Sequence, residues 1–181
     1  MKSIIATFFL MMCLQMPTAF GQIEKGTKMV GGSGFGRFFT ESGDLYVYLV
    51  ANYGIFVSNK ICLGGELISL NDFYSNSTSG YLGIAPFIRY CFNVKEKRYF
   101  FTKFSPGIGM NYSSSDNEEI SGMADVSLGH DWFLIPSVTF EASIFGNLIF
   151  AEEAEGSVGL RFGFQIYLKK NKELEPPSIH Q

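Results

Sequence analysis

The sequence predicts an all-β protein, an eight-stranded antiparallel up-and-down transmembrane β-barrel. The first observation is residues 158–168, where apolar side chains occupy every second position and Gly, Arg, Gly, Gln and Tyr lie between them. Because side chains of a β-strand point alternately to opposite faces, this segment has one apolar face and one small or polar face. Its length fits the roughly 9–11 residues of a tilted strand that crosses a bilayer. The other two observations are seven further strand-like segments, and connections that alternate between short turns and longer polar loops.

Composition sets the class of protein. The 181 residues are 46% hydrophobic, 16% aromatic and 17% charged, and they include 20 glycines, which fits one domain of strands and tight turns. The formal net charge of −3 offers no basic field for phosphate, and no Lys/Arg-rich stripe interleaved with aromatic residues is present. Nucleic acid is therefore not expected as a partner.

The N-terminus has the layout of a secretory signal peptide, with Lys2, an apolar run over residues 4–12 and a small-residue site at residues 19–21. The apolar run is shorter than the roughly 18 residues of a membrane-spanning helix, which disfavours a helical anchor. Cys13 directly follows the run, within the predicted signal peptide, and leaves with it. The expected division of the chain is a signal peptide at residues 1–21, an outer-membrane β-barrel at residues 22–170 and a C-terminal periplasmic tail at residues 171–181.

The first four strands are predicted from alternation and from the polar turns between them: Thr27–Phe39, Leu45–Val57, Ile61–Ser69 and Tyr81–Phe92. The first is rich in glycine, and its alternation is too weak to say which face is outward. In the second strand Leu49 and Asn52 lie on opposite faces, as do Leu67 and Glu66 in the third. Pro86 in the fourth strand is an objection, because proline removes a ladder donor and favours edges and bulges.

The last four strands are predicted at Arg98–Tyr112, Met123–Leu134, Val138–Phe150 and Val158–Leu168. In the sixth strand His130 and Trp132 fall on the apolar face, and Asp131 falls on the other. An even-stranded barrel begins and ends on the periplasmic side. This places the short turns at residues 58–60, 93–97 and 135–137 in the periplasm, and the longer polar loops outside.

Charges and aromatic residues then sort by side of the membrane. The outer loops carry acidic residues: Glu41, Asp44, Asp72, Asp116, Glu118, Glu119, Glu152, Glu153 and Glu155. The periplasmic rim carries lysines: Lys60, Lys95, Lys97, Lys169 and Lys170. The same rim collects residues of an expected interfacial aromatic girdle: Tyr53, Phe56, Tyr90, Phe92, Trp132 and Tyr167, of which Phe56 and Tyr167 have inward parity. A soluble lipocalin-like barrel would show the same alternation with the faces exchanged, and the aromatic rim favours the membrane.

Two stretches resemble a known family. NYGIFVSNKICLG (residues 52–64) resembles the second hairpin of the outer-membrane β-barrel domain family, the small "porin family" proteins of Gram-negative bacteria. PFIRY (residues 86–90) is similar to that family's fourth strand. The resemblance covers most of the mature chain and implies an outer-membrane location and an OmpX-like or OmpA-like eight-stranded barrel. Such barrels often end at the terminal aromatic residue of the last strand, whereas this chain continues through residues 171–181.

Seven charged residues are expected to face the barrel interior: Glu66, Arg89, Lys103, Asp125, Asp131, Glu141 and Arg161. Four are negative and three are positive, so near-neutral pairing is available in a place where unpaired charge is costly. Hairpin register puts Asp125 and Arg161 toward the outer half. It puts Arg89 and Lys103 toward the periplasmic half, with Asp131 or Glu141. The alternative is that water in the lumen solvates several of these groups.

Cys62 and Cys91 are expected to face the lumen at the periplasmic end of one hairpin. The oxidising compartment makes a cross-strand disulfide one outcome, and it would contribute roughly 3–4 kcal/mol by closing the intervening loop. A register offset of two residues would separate the Cα atoms by more than about 7 Å and exclude the bond. The sequence leaves both outcomes open.

The sequence contains no motif for catalysis. The Gly-rich run at residues 31–36 fits neither a nucleophile elbow nor a dinucleotide loop. His130 and Asp131 are adjacent on a strand and point to opposite faces, so an interfacial histidine is a better interpretation than an acid–base pair. The only other histidine, His180, lies in the tail, and no metal constellation can be assembled. We therefore expect no enzymatic activity, no cofactor and no metal.

Three functions fit these observations. The first is a structural or surface-interaction protein of the bacterial outer membrane, a monomer surrounded by lipid and lipopolysaccharide. The second is a narrow porin-like channel for ions or small solutes, although eight strands enclose an interior only just wide enough for side chains to fill. The third and least favoured is a lipid-modifying enzyme at the outer rim, where no histidine lies.

The acidic outer loops suggest a ligand. Glu118 and Glu119 lie on one loop, and Glu152, Glu153 and Glu155 lie on another that a closed barrel brings to the same rim. This surface could take a surface ligand or bind a divalent cation weakly. The commoner alternative is a solvated charged rim.

Overall fold

A computed structural model of the protein describes residues 23–39, 44–74, 78–95, 97–113, 119–150 and 154–169. They form eight strands: β1 (Lys28–Phe39), β2 (Asp44–Phe56), β3 (Ile61–Phe73), β4 (Thr78–Lys95), β5 (Arg98–Ser113), β6 (Glu119–Ile135), β7 (Val138–Phe150) and β8 (Ala154–Leu168). Consecutive strands pair antiparallel, and β1 also pairs with β8, which closes the sheet into a barrel. The described residues contain no helix that is long and apolar enough to cross a membrane. The predicted signal peptide and C-terminal tail lie outside the described residues.

The outer ends of the hairpins are longer than predicted. The residues between the predicted third and fourth strands, Ile61–Ser69 and Tyr81–Phe92, were expected to form a loop, yet β3 and β4 stay paired from Asn71 and Gly80 to Phe73 and Thr78. Likewise, β5 reaches Ser113 and β6 begins at Glu119. The polar composition of these stretches suggested loops. Pairing between strands satisfies the backbone N–H and C=O groups of a polar segment as well as those of an apolar one. Polar side chains are tolerated where the barrel extends into water.

Strand β1 closes the barrel. It pairs with β2 from Lys28 to Phe39, but with β8 only from Lys28 to Gly34. The seam is tight, because a Cβ atom on Gly163 of β8 would collide with the backbone of Gly32 and Ser33. Glycine is required at this seam for the close approach of two strands.

The two faces of the sheet differ in polarity. In β8, Leu160, Phe162 and Phe164 point outward and are between 50% and 57% exposed, whereas Arg161 and Gln165 are fully buried inside. The other strands follow the same alternation of exposed and buried positions. The apolar face is therefore the outer one, which is the reverse of a soluble lipocalin-like barrel and fits surrounding lipid.

Side chains fill the interior in two apolar clusters. We call the first the periplasmic cluster: Ile23, Met29, Phe56, Cys62, Phe87, Cys91, Tyr99, Phe101 and Tyr167. We call the second the outer cluster: Tyr48, Val50, Ile68, Tyr81, Ala85 and Met123. The charged side chains of the lumen lie beside these two clusters, so their surroundings are largely desolvated.

Candidate functional site

The seven charged residues predicted for the lumen all lie inside the barrel, and each is 5% exposed or less. They project from six strands, β3 to β8, because each occupies an inward position of the alternating pattern. The structure brings them together in three groups, each centred on one cation: Arg89, Lys103 or Arg161.

The largest group surrounds Arg89. Its Nη2 donates to Oδ2 of Asp131 at 2.8 Å, and its Nη1 donates to Oε2 of Glu141 at 2.8 Å. The guanidinium carbon lies 3.5 Å from the centroid of the Phe101 ring, within the range of a cation–π contact. One guanidinium thus joins β4 to both β6 and β7 across the lumen.

The two acids bound to Arg89 have further donors. The Tyr167 hydroxyl donates to Oδ2 of Asp131 at 3.0 Å, and it also hydrogen-bonds the Tyr99 hydroxyl. The amide of Gln165 donates to Oε2 of Glu141 at 3.1 Å. These neutral donors stabilise two carboxylates that share a single cation.

The second group lies nearer the outer end. Nη2 of Arg161 donates to Oδ1 of Asp125 at 3.1 Å, and its Nη1 donates to Oδ2 of the same carboxylate at 3.3 Å. This two-pronged geometry suits the planar guanidinium and carboxylate. The Tyr48 hydroxyl accepts from Arg161 at 3.2 Å and lies 3.4 Å from Oδ2 of Asp125 as a donor.

The third group differs from the expectation for one residue. Lys103 was expected to join Asp131 or Glu141, but its Nζ lies 2.5 Å from Oε2 of Glu66. Lys103 is the direct ladder partner of Arg89, which already binds both Asp131 and Glu141. The lysine instead reaches across β4 to β3.

Sequence reasoning missed a turn that enters the periplasmic mouth. Ile23 is only 6% exposed and belongs to the periplasmic cluster. The amide of Gly26, at a φ of 90°, donates to the Phe56 carbonyl at 2.7 Å, and the Lys25 amide donates to Oδ1 of Asn59 at 3.1 Å. The available signal was an apolar residue followed by a polar turn with glycine, just before the first strand.

An arc of rings surrounds the periplasmic end of the outer face. Its members touch in sequence around the barrel: Tyr90, Phe92, Phe100, His130, Trp132, Phe140 and Phe162. Tyr53 is also outward and 47% exposed. Tyr167, which was assigned to this girdle, is 4% exposed and points into the lumen, so that assignment was wrong. Its inward parity was the correct signal.

Comparisons with known proteins bear on the fold. The sequence matches no family model and no curated protein. The N-terminal β-barrel domain of Pseudomonas aeruginosa OprF is similar in structure, with 16% identity, a TM-score of 0.54, and coverage of 78% of this chain and 98% of that one. Ail, the attachment invasion locus protein of Yersinia pestis, has 12% identity, a TM-score of 0.54, and coverage of 80% and 99%. Neisserial surface protein A has 14% identity, a TM-score of 0.53, and coverage of 78% and 97%.

These neighbours are eight-stranded outer-membrane barrels, and this chain closes with the same number of strands. The chain has the eight-stranded β-barrel fold of these outer-membrane proteins. Its apolar exterior and its girdle suit a barrel that is surrounded by a lipid bilayer.

Cys62 and Cys91 of the barrel are buried and unbonded. Cys62 is the ladder partner of Arg89, and the amide of Cys91 donates to the Lys60 carbonyl, so the two cysteines are offset by two residues. Diagonal neighbours of this kind lie about 7–8 Å apart, beyond the usual Cα separation of a disulfide, about 4.4–6.8 Å. The disulfide that the sequence left open is therefore absent, because the register excludes it.

Thiol titration should reflect this register. We expect the unreduced mature barrel to show two free thiols per chain after denaturation, from Cys62 and Cys91. Neither should react quickly with a maleimide in the folded barrel, because both are fully buried. A denatured, unreduced chain with no reactive thiol would contradict the observed register.

His130 belongs to the girdle. It is 9% exposed, and its ring lies 4.4 Å from the Phe100 ring and 4.0 Å from the Trp132 ring, measured between centroids. Asp131 points the other way, into the lumen, where it binds Arg89. The two neighbours therefore have separate environments and do not form an acid–base pair.

The acidic outer loops fall mostly outside the described residues. Glu118, Glu152 and Glu153 are not described, and for Glu155 only the backbone is. Glu119 is described at the first position of β6 and is exposed. Among the described residues, no group of acids, histidines or cysteines is arranged to hold a metal ion. Cation binding at the loops stays a prediction.

Proposed function

We propose that this barrel is a non-conducting structural or surface-interaction protein of the outer membrane, with its outer end as the working surface. The ion-paired lumen carries this proposal. Arg89 links β4 to β6 and β7, and Arg161 links β8 to β6, so bonded side chains cross the interior at two levels. Aromatic and aliphatic side chains of the two clusters fill the space beside them.

A channel role is less well supported. Eight strands leave an interior only just wide enough for side chains. Here the turn at Ile23 also enters the periplasmic mouth, and Tyr99, Phe101 and Tyr167 pack beneath Arg89. An ion would have to break buried pairs whose separation leaves uncompensated charge.

Conductance measurements test the proposal. Purified barrel inserted in a planar bilayer is expected to give no stable current steps, because the lumen is filled by bonded side chains. Insertion should be verified by heat-dependent mobility on a gel of the same preparation. Reproducible steps whose number rises with the amount of inserted barrel would support the channel role and refute the structural one.

We further propose that the barrel is a monomer without enzymatic activity, surrounded by lipid and lipopolysaccharide. Pairing of β1 with β8 from Lys28 to Gly34 closes the described sheet, so no full-length strand edge is left to recruit another chain. His130, the one histidine among the described residues, packs between aromatic rings at the periplasmic end, away from the outer rim where a lipid-modifying site would have to lie. Divalent cations or another surface ligand at the acidic loops belong to the same proposal.

A further inference from the structure

A cavity of about 360 Å³ opens at the outer mouth of the barrel. It lies on the side formed by β1, β2, β3 and β8, and the side chains of Phe35, Arg37, Asp44, Tyr46 and Asp72 contribute to its lining. Its volume falls at the small end of the range typical of ligand pockets, about 300–1,000 Å³, and barrel mouths are common places for such pockets.

The register of the strands builds this cavity in two levels. At the upper level Arg37, Tyr46 and Asp72 are direct ladder partners on β1, β2 and β3, and all three have inward parity. A tyrosine ring is thus flanked by one cation and one anion. Asp44, at the start of β2, adds a second carboxylate at the rim.

The lower level is an aromatic floor. Phe35 is the ladder partner of Tyr48, and their ring centroids are 5.9 Å apart in a stacked arrangement. Phe145 stacks on Tyr48 at 5.2 Å and lies 5.4 Å from Phe35. Tyr48 and Phe145 are essentially unexposed, so the floor separates the cavity from the Arg161–Asp125 pair below.

The lining selects a class of ligand by charge. An anion would meet the carboxylates of Asp44 and Asp72, and a cation would meet the guanidinium of Arg37. A neutral molecule rich in hydroxyl groups can donate to the carboxylates and accept from the guanidinium at the same time. The flat C–H face of a sugar ring also suits the aromatic rings of Phe35 and Tyr46, which line the cavity.

We propose that the outer-mouth cavity binds a neutral saccharide. Phe35 and Tyr46 support the ring face, and Arg37, Asp44 and Asp72 hydrogen-bond its hydroxyl groups. The inference rests on the proposed function, because a closed floor needs a non-conducting lumen. The saccharide could belong to lipopolysaccharide in the same membrane or to a free or host oligosaccharide, since both present the same chemistry.

Saturation-transfer NMR on the full barrel in phosphatidylcholine nanodiscs tests this. The probes are glucose, galactose, maltose and lactose, with glucuronate and glucosamine as charged comparisons. We expect saturation transfer to at least one neutral sugar, and weaker transfer to its charged analogue. No transfer to any neutral sugar, or equal transfer to the charged sugars, would overturn the proposal.

Matched variants locate the site. Tyr46→Ala and Asp72→Asn are each expected to weaken binding about tenfold or more, the effect of losing a ring contact or a hydrogen bond to a charged group. Tyr53→Ala, an exposed tyrosine on the same strand, and Glu24→Gln, an exposed acid in the turn at the periplasmic end, should leave binding unchanged. All four must keep heat-dependent mobility as evidence of folding. Unchanged binding in both cavity variants would refute the site.

A last comparison distinguishes the two sources of sugar, and it distinguishes failure of the saccharide site from failure of the proposed function. If the cavity binds the saccharide of lipopolysaccharide, nanodiscs that contain lipopolysaccharide should suppress saturation transfer to the added sugar. If the cavity binds a free oligosaccharide, the same nanodiscs should leave saturation transfer to the added sugar unchanged. If the barrel shows neither conductance nor sugar binding, only the saccharide site is refuted. Stable conductance would remove the proposed function independently of the NMR result.

Discussion

Arg89→Ala is expected to lower the free energy of unfolding of the barrel by about 3–5 kcal/mol, the cost of breaking a buried ion pair on one side. The substitution leaves Asp131 and Glu141 in the lumen without their common cation, although each lies within 2.8 Å of it in the native barrel. It also removes the guanidinium that packs on Phe101. The change can be measured by urea titration of the barrel in lipid vesicles.

The matched control is Arg98→Ala, an arginine at the periplasmic end of β5 that is exposed. Its loss should change the unfolding free energy by no more than about 1 kcal/mol, as for an exposed charge. Adding Asp131→Asn to the Arg89→Ala background should recover part of the loss, because one uncompensated charge is removed. Equal effects of Arg89→Ala and Arg98→Ala would show that the lumen charges are solvated by water.

Ile144→Arg is expected to destabilise the barrel by about 2–4 kcal/mol, the cost of a lipid-facing charge at the bilayer midplane. Ile144 lies in the middle of β7, points outward and is 56% exposed. Its ladder neighbours Leu128 and Leu160 are also outward, so the arginine would have no polar partner beside it. The same vesicle titration measures the effect.

Ile120→Arg provides the control for depth. Ile120 is also outward and 76% exposed, but it lies at the outer end of β6. The same substitution there should cost only about 0–1 kcal/mol, because a charge near the interface reaches water. If both variants lost the same stability, the assigned membrane position of the apolar face would be wrong.

Alternation predicted the strand number, the facing of Glu66, Arg89 and Arg161, and the girdle residues Tyr90 and Trp132. These properties depend on a period of two along one strand, which a single sequence shows directly. The outer strand ends were missed at Phe73 and Glu119, because polar residues occur in loops and in water-exposed ladders alike.

The contacts between strands were harder to predict. Lys103 forms an ion pair with Glu66 and not with Asp131. Tyr167 donates a hydrogen bond to Asp131 inside the lumen and is not part of the girdle. Lys103 and Glu66 lie on β5 and β3, on either side of β4, so their contact depends on how far these strands are displaced along one another. The inward parity of Tyr167 was visible in the sequence, but its contact with Asp131 across the lumen was not. The burial of Ile23 could not be predicted either, because Ile23 packs against residues of several strands that meet only in the closed barrel.

The sequence by itself determined that this chain is a barrel of eight strands with one apolar face, because strand length, alternation and turn placement are local properties. The aromatic rim also predicted that the apolar face is the outer one, although a soluble barrel shows the same period. The sequence did not determine the two-residue offset that keeps Cys62 and Cys91 apart, or the sharing of Arg89 between Asp131 and Glu141. Only the tertiary structure decided these points, because closing the sheet sets the stagger of all eight strands together, and that stagger selects which inward side chains meet across the lumen.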